Sequence, residues 1–195
     1  MTVLEDRIEM AEYSGELTLD SLFESLERTT PEGYKVEIVE GTIVMAPQRD
    51  IHWKIIRRIV RALEDEFGMD VNVLSDVRID FPGILNGYAP DVAMIREGAK
   101  KDSKGLWSHR DIEFVAEVIS KGTAPNDYGA KRTAYALAEI PVYLITDPYQ
   151  GKCHLYTQPK DGEYVVELSV AFGGDVDMTN TLVGLTLKTE EFPRD

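Results

Sequence analysis

Hydrophobic residues recur with the helical period in three stretches, residues 18–26, 50–67 and 127–138. The middle stretch has the strongest pattern, because one face carries His52, Ile56, Ile59, Leu63 and Phe67. Gly68 follows it in the position of a C-cap. Before the third stretch, Thr123 and Pro125 provide a helix start, and Pro141 follows its end. We therefore predict three helices.

Alternating and continuous apolar runs predict the strands. Residues 34–38 and 42–45 flank the turn signal Glu40-Gly41, which predicts a hairpin. Further strands are predicted at residues 71–79, 88–95, 112–119, 142–146, 152–157, 164–169 and 182–187. From residue 50 the order is helix, three strands, helix, strand. This order predicts an α/β (α+β) fold, with a mixed β-sheet flanked by helices, an N-terminal hairpin and extra C-terminal strands.

Composition narrows the class of protein. The 195 residues are 43% hydrophobic and 29% charged, without repeats or a linker, which predicts a single domain over residues 1–195 with residues 1–16 as a lead-in. We see no signal peptide, and the longest apolar runs are strand-sized. The single cysteine, Cys153, excludes an intrachain disulfide and a Cys-pair zinc site. We therefore expect a soluble cytoplasmic protein without membrane association.

The charge distribution is uneven. Asp and Glu number 35 against 21 Lys and Arg, so the net charge is −14, which argues against a polyanionic partner. Residues 49–132 nevertheless hold 14 basic and 14 acidic side chains, and two stretches there, 49–61 and 96–110, are locally basic. The simpler interpretation is a solvated helix face and a solvated loop. A nucleic-acid surface is the alternative.

Two acids stand at the predicted strands. Asp91 opens an apolar strand, and Glu117 interrupts the apolar run from Phe114 to Ile119, which is typical of a strand buried on both faces. A carboxylate buried there must be paired, protonated or metal-bound. A functional acid and a structural ion pair both fit this position.

Other candidates surround these acids. Asp127, Lys131 and Tyr135 form one stripe on the third helix, which is either a surface pair or, if the helix covers the strand of Glu117, part of a site. Further candidates are Glu37 on the hairpin and His52 on an apolar helix face, where a lone histidine is usually a core residue. Two carboxylates on neighbouring strands can hold Mg²⁺, and a nearby ammonium completes a minimal set for phosphodiester hydrolysis.

The ordered set of motifs resembles a known family. The motifs are, in chain order, Val36-Glu37 to Gly41, Met45-Ala46-Pro47, His52, Ala89-Pro90-Asp91-Val92, Glu117 to Ser120, Asp127 with Lys131 and Tyr135, and Tyr143 to Pro148. Over residues 17–187 this set is similar to the Uma-type putative restriction endonuclease family of the PD-(D/E)XK nuclease superfamily. The resemblance implies a restriction-endonuclease-like αβββαβ core with extra strands at both ends.

The resemblance also implies a site. Asp91 and Glu117 would be Mg²⁺ ligands, with Mn²⁺ as a substitute and the Val118 carbonyl as a further ligand. Ile119 stands where the strict motif has lysine, so the resemblance assigns that role to Lys131, with Lys121 as the rival. Glu37 and His52 match supporting residues of the family.

The implied activity is that of a Mg²⁺-dependent DNA endonuclease, working as a homodimer by analogy with other nucleases of this fold. The chain departs from the family pattern at Glu139 to Leu144 and at Lys121-Gly122, which bears on partner or substrate choice. Two alternatives remain open. One is a catalytically silent module that binds nucleic acid or protein. The other is a hydrolase of small phosphorylated molecules, for which the sequence lacks a phosphate-binding glycine-rich loop.

Overall fold

The computed structural model describes residues 17–47 and 49–195, so the expected lead-in, residues 1–16, lies outside the described residues. The helices are α1 (Leu19–Glu27), α2 (Asp50–Phe67), α3 (Ala124–Tyr128) and α4 (Ala130–Leu137), with a 3-10 turn at His109–Asp111. The strands are β1 (Tyr34–Val39), β2 (Thr42–Pro47), β3 (Val73–Leu74), β4 (Ile79–Phe81), β5 (Asn86–Tyr88), β6 (Val92–Ile95), β7 (Trp107–Ser108), β8 (Ile112–Val118), β9 (Val142–Asp147), β10 (Lys152–Lys160), β11 (Glu163–Ala171), β12 (Asp175–Asp177) and β13 (Thr186–Lys188).

Two mixed sheets form the framework. One has the strand order β2-β1-β5-β4-β7 and the other the order β11-β10-β9-β8-β6-β3, while β12 and β13 pair separately. The pairs β8/β9 and β4/β7 are parallel, and the other paired strands are antiparallel. The predicted fold class, mixed sheets flanked by helices, is confirmed. Within the described ranges, none of the helices has the length and apolar character that crossing a bilayer requires.

The N-terminal hairpin forms as predicted. Glu40 and Gly41 link β1 to β2, both with positive φ (49° and 77°), as a two-residue hairpin turn requires. The turn is anchored from outside, because the Glu40 amide donates to Asn86 Oδ1 and the Gly41 amide to the Leu85 carbonyl. The hairpin is thereby fixed against β5.

The six-stranded sheet has a core on each face. Helix α2 buries Ile55, Ile56, Ile59 and Leu63 on one face. Alternation along β8 directs Phe114, Ala116 and Val118 to that core, whereas Val115 lies in the opposite core with residues of α4. By the same alternation, Glu117 lies on the α4 face. This explains how a carboxylate interrupts an apolar strand without entering the α2 core.

Several predicted elements have different boundaries. Residues 88–95 are not one strand, because β5 pairs in the five-stranded sheet and β6 in the six-stranded sheet. Pro90, which has no amide hydrogen to donate, lies in the crossing between them. Likewise, residues 71–79 contribute only β3 and the start of β4, in different sheets.

The third predicted helix and the last predicted strand also differ. The helix is split at Gly129, which has φ −118° and ψ −100°, into α3 and α4. Of residues 182–187, only the end lies in a strand, β13, which pairs with β12.

Candidate functional site

A cleft of about 240 Å³ lies between the hairpin, the start of α2, the start of β6, the end of β8 and the α3–α4 segment. Its chemistry comes from the side chains of Lys35, Glu37, Arg49, His52, Asp76, Asp91, Glu117, Ser120, Asp127 and Lys131. The cleft thus contains six of the candidates that the sequence provides, brought together from distant parts of the chain: Glu37, His52, Asp91, Glu117, Asp127 and Lys131.

Asp91 and Glu117 lie side by side. Val92 pairs with Ala116 in the antiparallel β6/β8 ladder, so the next residues along, Asp91 and Glu117, are opposite each other. The Asp91 amide donates to Glu117 Oε2 (3.3 Å), and the Val118 amide donates to Asp91 Oδ2 (2.7 Å). Both residues are buried, with exposures of 4% and 1%. The predicted proximity of the two acids is confirmed.

Lys35 bridges these acids, and sequence reasoning missed it. Its Nζ lies 2.6 Å from Asp91 Oδ1 and 3.8 Å from Glu117 Oε2. The signal was present in the alternation of β1, because residues 35 and 37 face the same side of a strand. Lys35 is on the hairpin, so an ammonium from one sheet reaches carboxylates of the other.

Lys131 is enclosed by carboxylates. Its Nζ lies 2.6 Å from Glu117 Oε1, 3.0 Å from Glu37 Oε1 and 3.1 Å from Asp127 Oδ1. Tyr135, one turn further along α4, donates to Glu117 Oε1 at 2.6 Å. The helix therefore covers the strand of Glu117, and the stripe Asp127-Lys131-Tyr135 faces the site rather than solvent.

The pKa values reflect this packing of charge. Burial raises the pKa of Glu117 to about 8 and that of Asp127 to about 6, although Lys131 opposes both shifts. Burial would also raise the pKa of Asp91 and Glu37, but nearby ammonium groups outweigh it, and both pKa values lie below normal. Together with Asp76, which lies 3.9 Å from Lys35 Nζ, five carboxylates thus share two lysines, which leaves an excess of three negative charges when all are ionised.

His52 lies at the cleft rather than in the core. It is half-buried, and its Nε2 is buried without a hydrogen-bond partner among the described residues. Burial lowers the pKa of His52, which favours the neutral imidazole at neutral pH.

The rival lysine lies elsewhere. Lys121 is exposed in the turn after β8 and does not line the cleft, within the part of the chain that the structure describes. Of the two, Lys131 is the one in contact with Glu117.

The first basic stretch is largely neutralised, and the second is neutralised in part. In residues 49–61, Lys54 pairs with Asp50, Arg58 with Glu191 and Arg61 with Asp65. In residues 96–110, Arg96 pairs with Asp111 and Lys104 with Asp20. Much of the positive charge is therefore already neutralised locally.

The donor atoms fit a hard cation. Among residues 17–47 and 49–195, no three or more His, Cys, Asp or Glu side chains are grouped as in a complete metal site. Asp91 and Glu117 nevertheless offer carboxylate oxygens to one point, and Mg²⁺ is commonly held by one or two carboxylates together with waters and substrate oxygens. The chemistry of the cleft is compatible with such a site.

Comparison with known proteins identifies the family. Residues 21–190 match the model of the Uma2 family, which is described as a putative restriction endonuclease. The chain belongs to this family. The match confirms the resemblance of the motifs to the Uma2 family. It also spans all the elements that form the cleft.

A solved structure shares the fold. The crystal structure of a protein from Anabaena variabilis, described as a putative nuclease belonging to DUF820, superimposes with a TM-score of 0.67 at 15% identity. The alignment covers 91% of this chain and 97% of that chain. No curated protein matches the chain in sequence.

Proposed function

We propose that the chain is a Mg²⁺-dependent endonuclease that hydrolyses phosphodiester bonds of DNA. One observation carries the proposal. Asp91 Oδ1 and Glu117 Oε2 face the same cation, the Lys35 ammonium, inside a cleft. Membership of the Uma2 family supports a nucleic-acid substrate, and restriction-endonuclease-like proteins generally use a divalent metal.

Asp91 and Glu117 are the proposed Mg²⁺ ligands, with the Val118 carbonyl as a third and Mn²⁺ as a substitute. When bound, the metal would supply charge stabilisation for the phosphodiester and lower the pKa of a bound water. The carboxylates are held in position for this by the hydrogen bonds from the Val118 amide and the Tyr135 hydroxyl.

Lys131 assists by fixing Glu117. Its three carboxylate contacts leave the side chain 1% exposed, so its proposed role is to orient Glu117 rather than to reach the substrate. Glu37 holds Lys131 in turn and accepts a hydrogen bond from the Ala89 amide (2.9 Å) just before Asp91. His52 lines the cleft, and because its Nε2 is buried we assign it a supporting role rather than direct contact with the attacking water.

A path for the DNA strand leads from the cleft along α2. Arg49, Trp53 and Arg57 have i, i+4, i+8 spacing, and Arg49 and Trp53 line the cleft. Trp53 is 59% exposed, which suits stacking on an unpaired base. By analogy with nucleases of this fold, we propose a homodimer, and a chain with a single cysteine fits the reducing cytoplasm that we propose for it.

The decisive test replaces Asp91 by asparagine. Purified protein with Mg²⁺ or Mn²⁺ should cleave plasmid or single-stranded DNA, measured by gel electrophoresis, and chelation with EDTA should stop it. D91N should lower the rate at least about 100-fold, because it removes a charge that would stabilise the metal. D70N, at an exposed acid beyond α2, is the matched control and should cleave normally.

Equal cleavage by D91N and the unchanged protein would refute the assignment. DNA binding without metal-dependent cleavage would instead favour the catalytically silent module.

A further inference from the structure

Two carboxylate oxygens in the cleft share a single cationic partner. Asp91 Oδ2 is engaged by the Val118 amide, and Glu117 Oε1 by Tyr135 and Lys131. The other oxygen of each acid, Asp91 Oδ1 and Glu117 Oε2, approaches Lys35 Nζ, and Glu117 Oε2 also accepts a hydrogen bond from the Asp91 amide at 3.3 Å. The ammonium of Lys35 thus stands where these two oxygens converge.

We propose that Lys35 is an internal competitor for the divalent cation, which must give up Asp91 Oδ1 and Glu117 Oε2 before a metal ion can use them. This inference rests on the proposed function, because it assumes the same two acids as ligands. It adds that Lys35 and the metal ion occupy the same two carboxylate oxygens in turn.

The two lysines of the cleft differ in their freedom to move. Lys131 is 1% exposed, and three carboxylates lie within 3.1 Å of its Nζ. The Lys35 side chain is 13% exposed, and Asp76 Oδ1, on a side chain with 30% exposure, lies 3.9 Å from its Nζ. A flexible four-carbon side chain can therefore turn from Asp91 towards Asp76 and the cleft opening. Lys131 has no comparable route.

Removing the competitor should strengthen metal binding. A Lys35→Met variant keeps the apolar side chain and removes the charge, so Mn²⁺ no longer has to displace an ammonium from either acid. We expect K35M to bind Mn²⁺ at least about tenfold more tightly than the unchanged protein, measured by titration calorimetry. K35R, which keeps a cation, should bind no more tightly.

The matched control is K160M, at an exposed lysine that ends β10, and its Mn²⁺ affinity should be unchanged. Thermal unfolding gives an independent readout. Without metal, K35M should unfold at a lower temperature, because two buried carboxylates lose a partner, and Mn²⁺ should raise its unfolding temperature more than that of the unchanged protein.

The outcomes separate the two proposals. Mn²⁺ binding by the unchanged protein, with equal or weaker binding by K35M, would overturn the role of Lys35 and leave the metal site standing. Absence of Mn²⁺ binding by both proteins would overturn the metal site and the role of Lys35 together.

A second measurement needs no variant and decides the matter if K35M does not fold. Amine-reactive labelling followed by mass spectrometry should modify Lys35 faster when Mn²⁺ is present, because its ammonium has left the two carboxylates. Lys131 should stay protected with and without Mn²⁺. Equal labelling of Lys35 in both conditions would overturn the inference.

Discussion

At the scale of single residues, the cleft shows how buried acids are tolerated. Asp91 and Glu117 are almost fully buried, yet each accepts hydrogen bonds from both the backbone and a charged or hydroxyl side chain. Such partners offset the desolvation of the carboxylates and also fix their orientation. The groups that make burial possible are therefore also those that aim the oxygens into the cleft.

Replacing Tyr135 by phenylalanine tests this account. Y135F removes the hydroxyl that donates to Glu117 Oε1 at 2.6 Å and leaves the packed ring in place. We expect the free energy of unfolding to fall by about 1–3 kcal/mol, measured by urea denaturation, because a buried carboxylate oxygen loses a donor.

The control is Y34F, at a tyrosine that is 46% exposed, which should stay within about 0.5 kcal/mol of the unchanged protein. Equal stabilities of the two variants would show that the hydrogen bond from Tyr135 contributes little.

The sequence alone predicted some of the residues that form the cleft. Asp91 stood out because it opens an apolar strand and Glu117 because it interrupts one, and their register brings them together as expected. Lys35 did not stand out, because a lysine on a hairpin strand is common and its partners lie 56 and 82 positions further along the chain. The contact depends on how the two sheets meet, which no local pattern specifies.

At the scale of elements, patterns in the sequence predicted correctly the elements that depend on residues close together in the chain. The periodicity of α2 and the turn at Glu40-Gly41 gave the helix and the hairpin correctly. They failed where pairing is non-local, as at the crossing between β5 and β6, since sheet membership depends on distant strands. That crossing positions the candidate site, because Asp91 is its last residue before β6.

Gly129 tests the break between α3 and α4. A Cβ at this position would lie 2.8 Å from the Pro125 carbonyl oxygen, so G129A should force a shift of the backbone that joins Asp127 to Lys131. We expect a loss of about 1–3 kcal/mol in the free energy of unfolding, although alanine normally favours helices.

Gly122 is the matched control, because a Cβ there meets nothing within 4 Å. G122A should be neutral or slightly stabilising in the same denaturation experiment, through the lower entropy of the unfolded chain. A stabilising effect of G129A would mean that α3 and α4 can merge into one helix without cost.

At the scale of the whole molecule, a net charge of −14 limits how the proposed DNA substrate could be held. Most basic side chains of α2 pair with acids. Arg57, in contrast, has no acidic partner among the described residues, and Arg49, just before the helix, is paired only loosely, at 3.9 Å from Asp195. Helix α2 therefore offers little net positive charge for long-range attraction of DNA. Binding would depend on a few cations near the cleft and on stacking with Trp53.

The dependence of binding on salt measures this directly. For a short single-stranded DNA and the D91N variant, the logarithm of the affinity against the logarithm of KCl concentration should have a slope of about −2, as expected for two or three phosphate contacts. R57Q should flatten the slope by about 0.7, since it removes one contact, whereas R61Q should not, because Arg61 already pairs with Asp65. Fluorescence anisotropy provides the affinities.

A slope of about −6 would contradict this prediction, because it requires far more free cations than the described surface of α2 offers. DNA would then have to bind on another face.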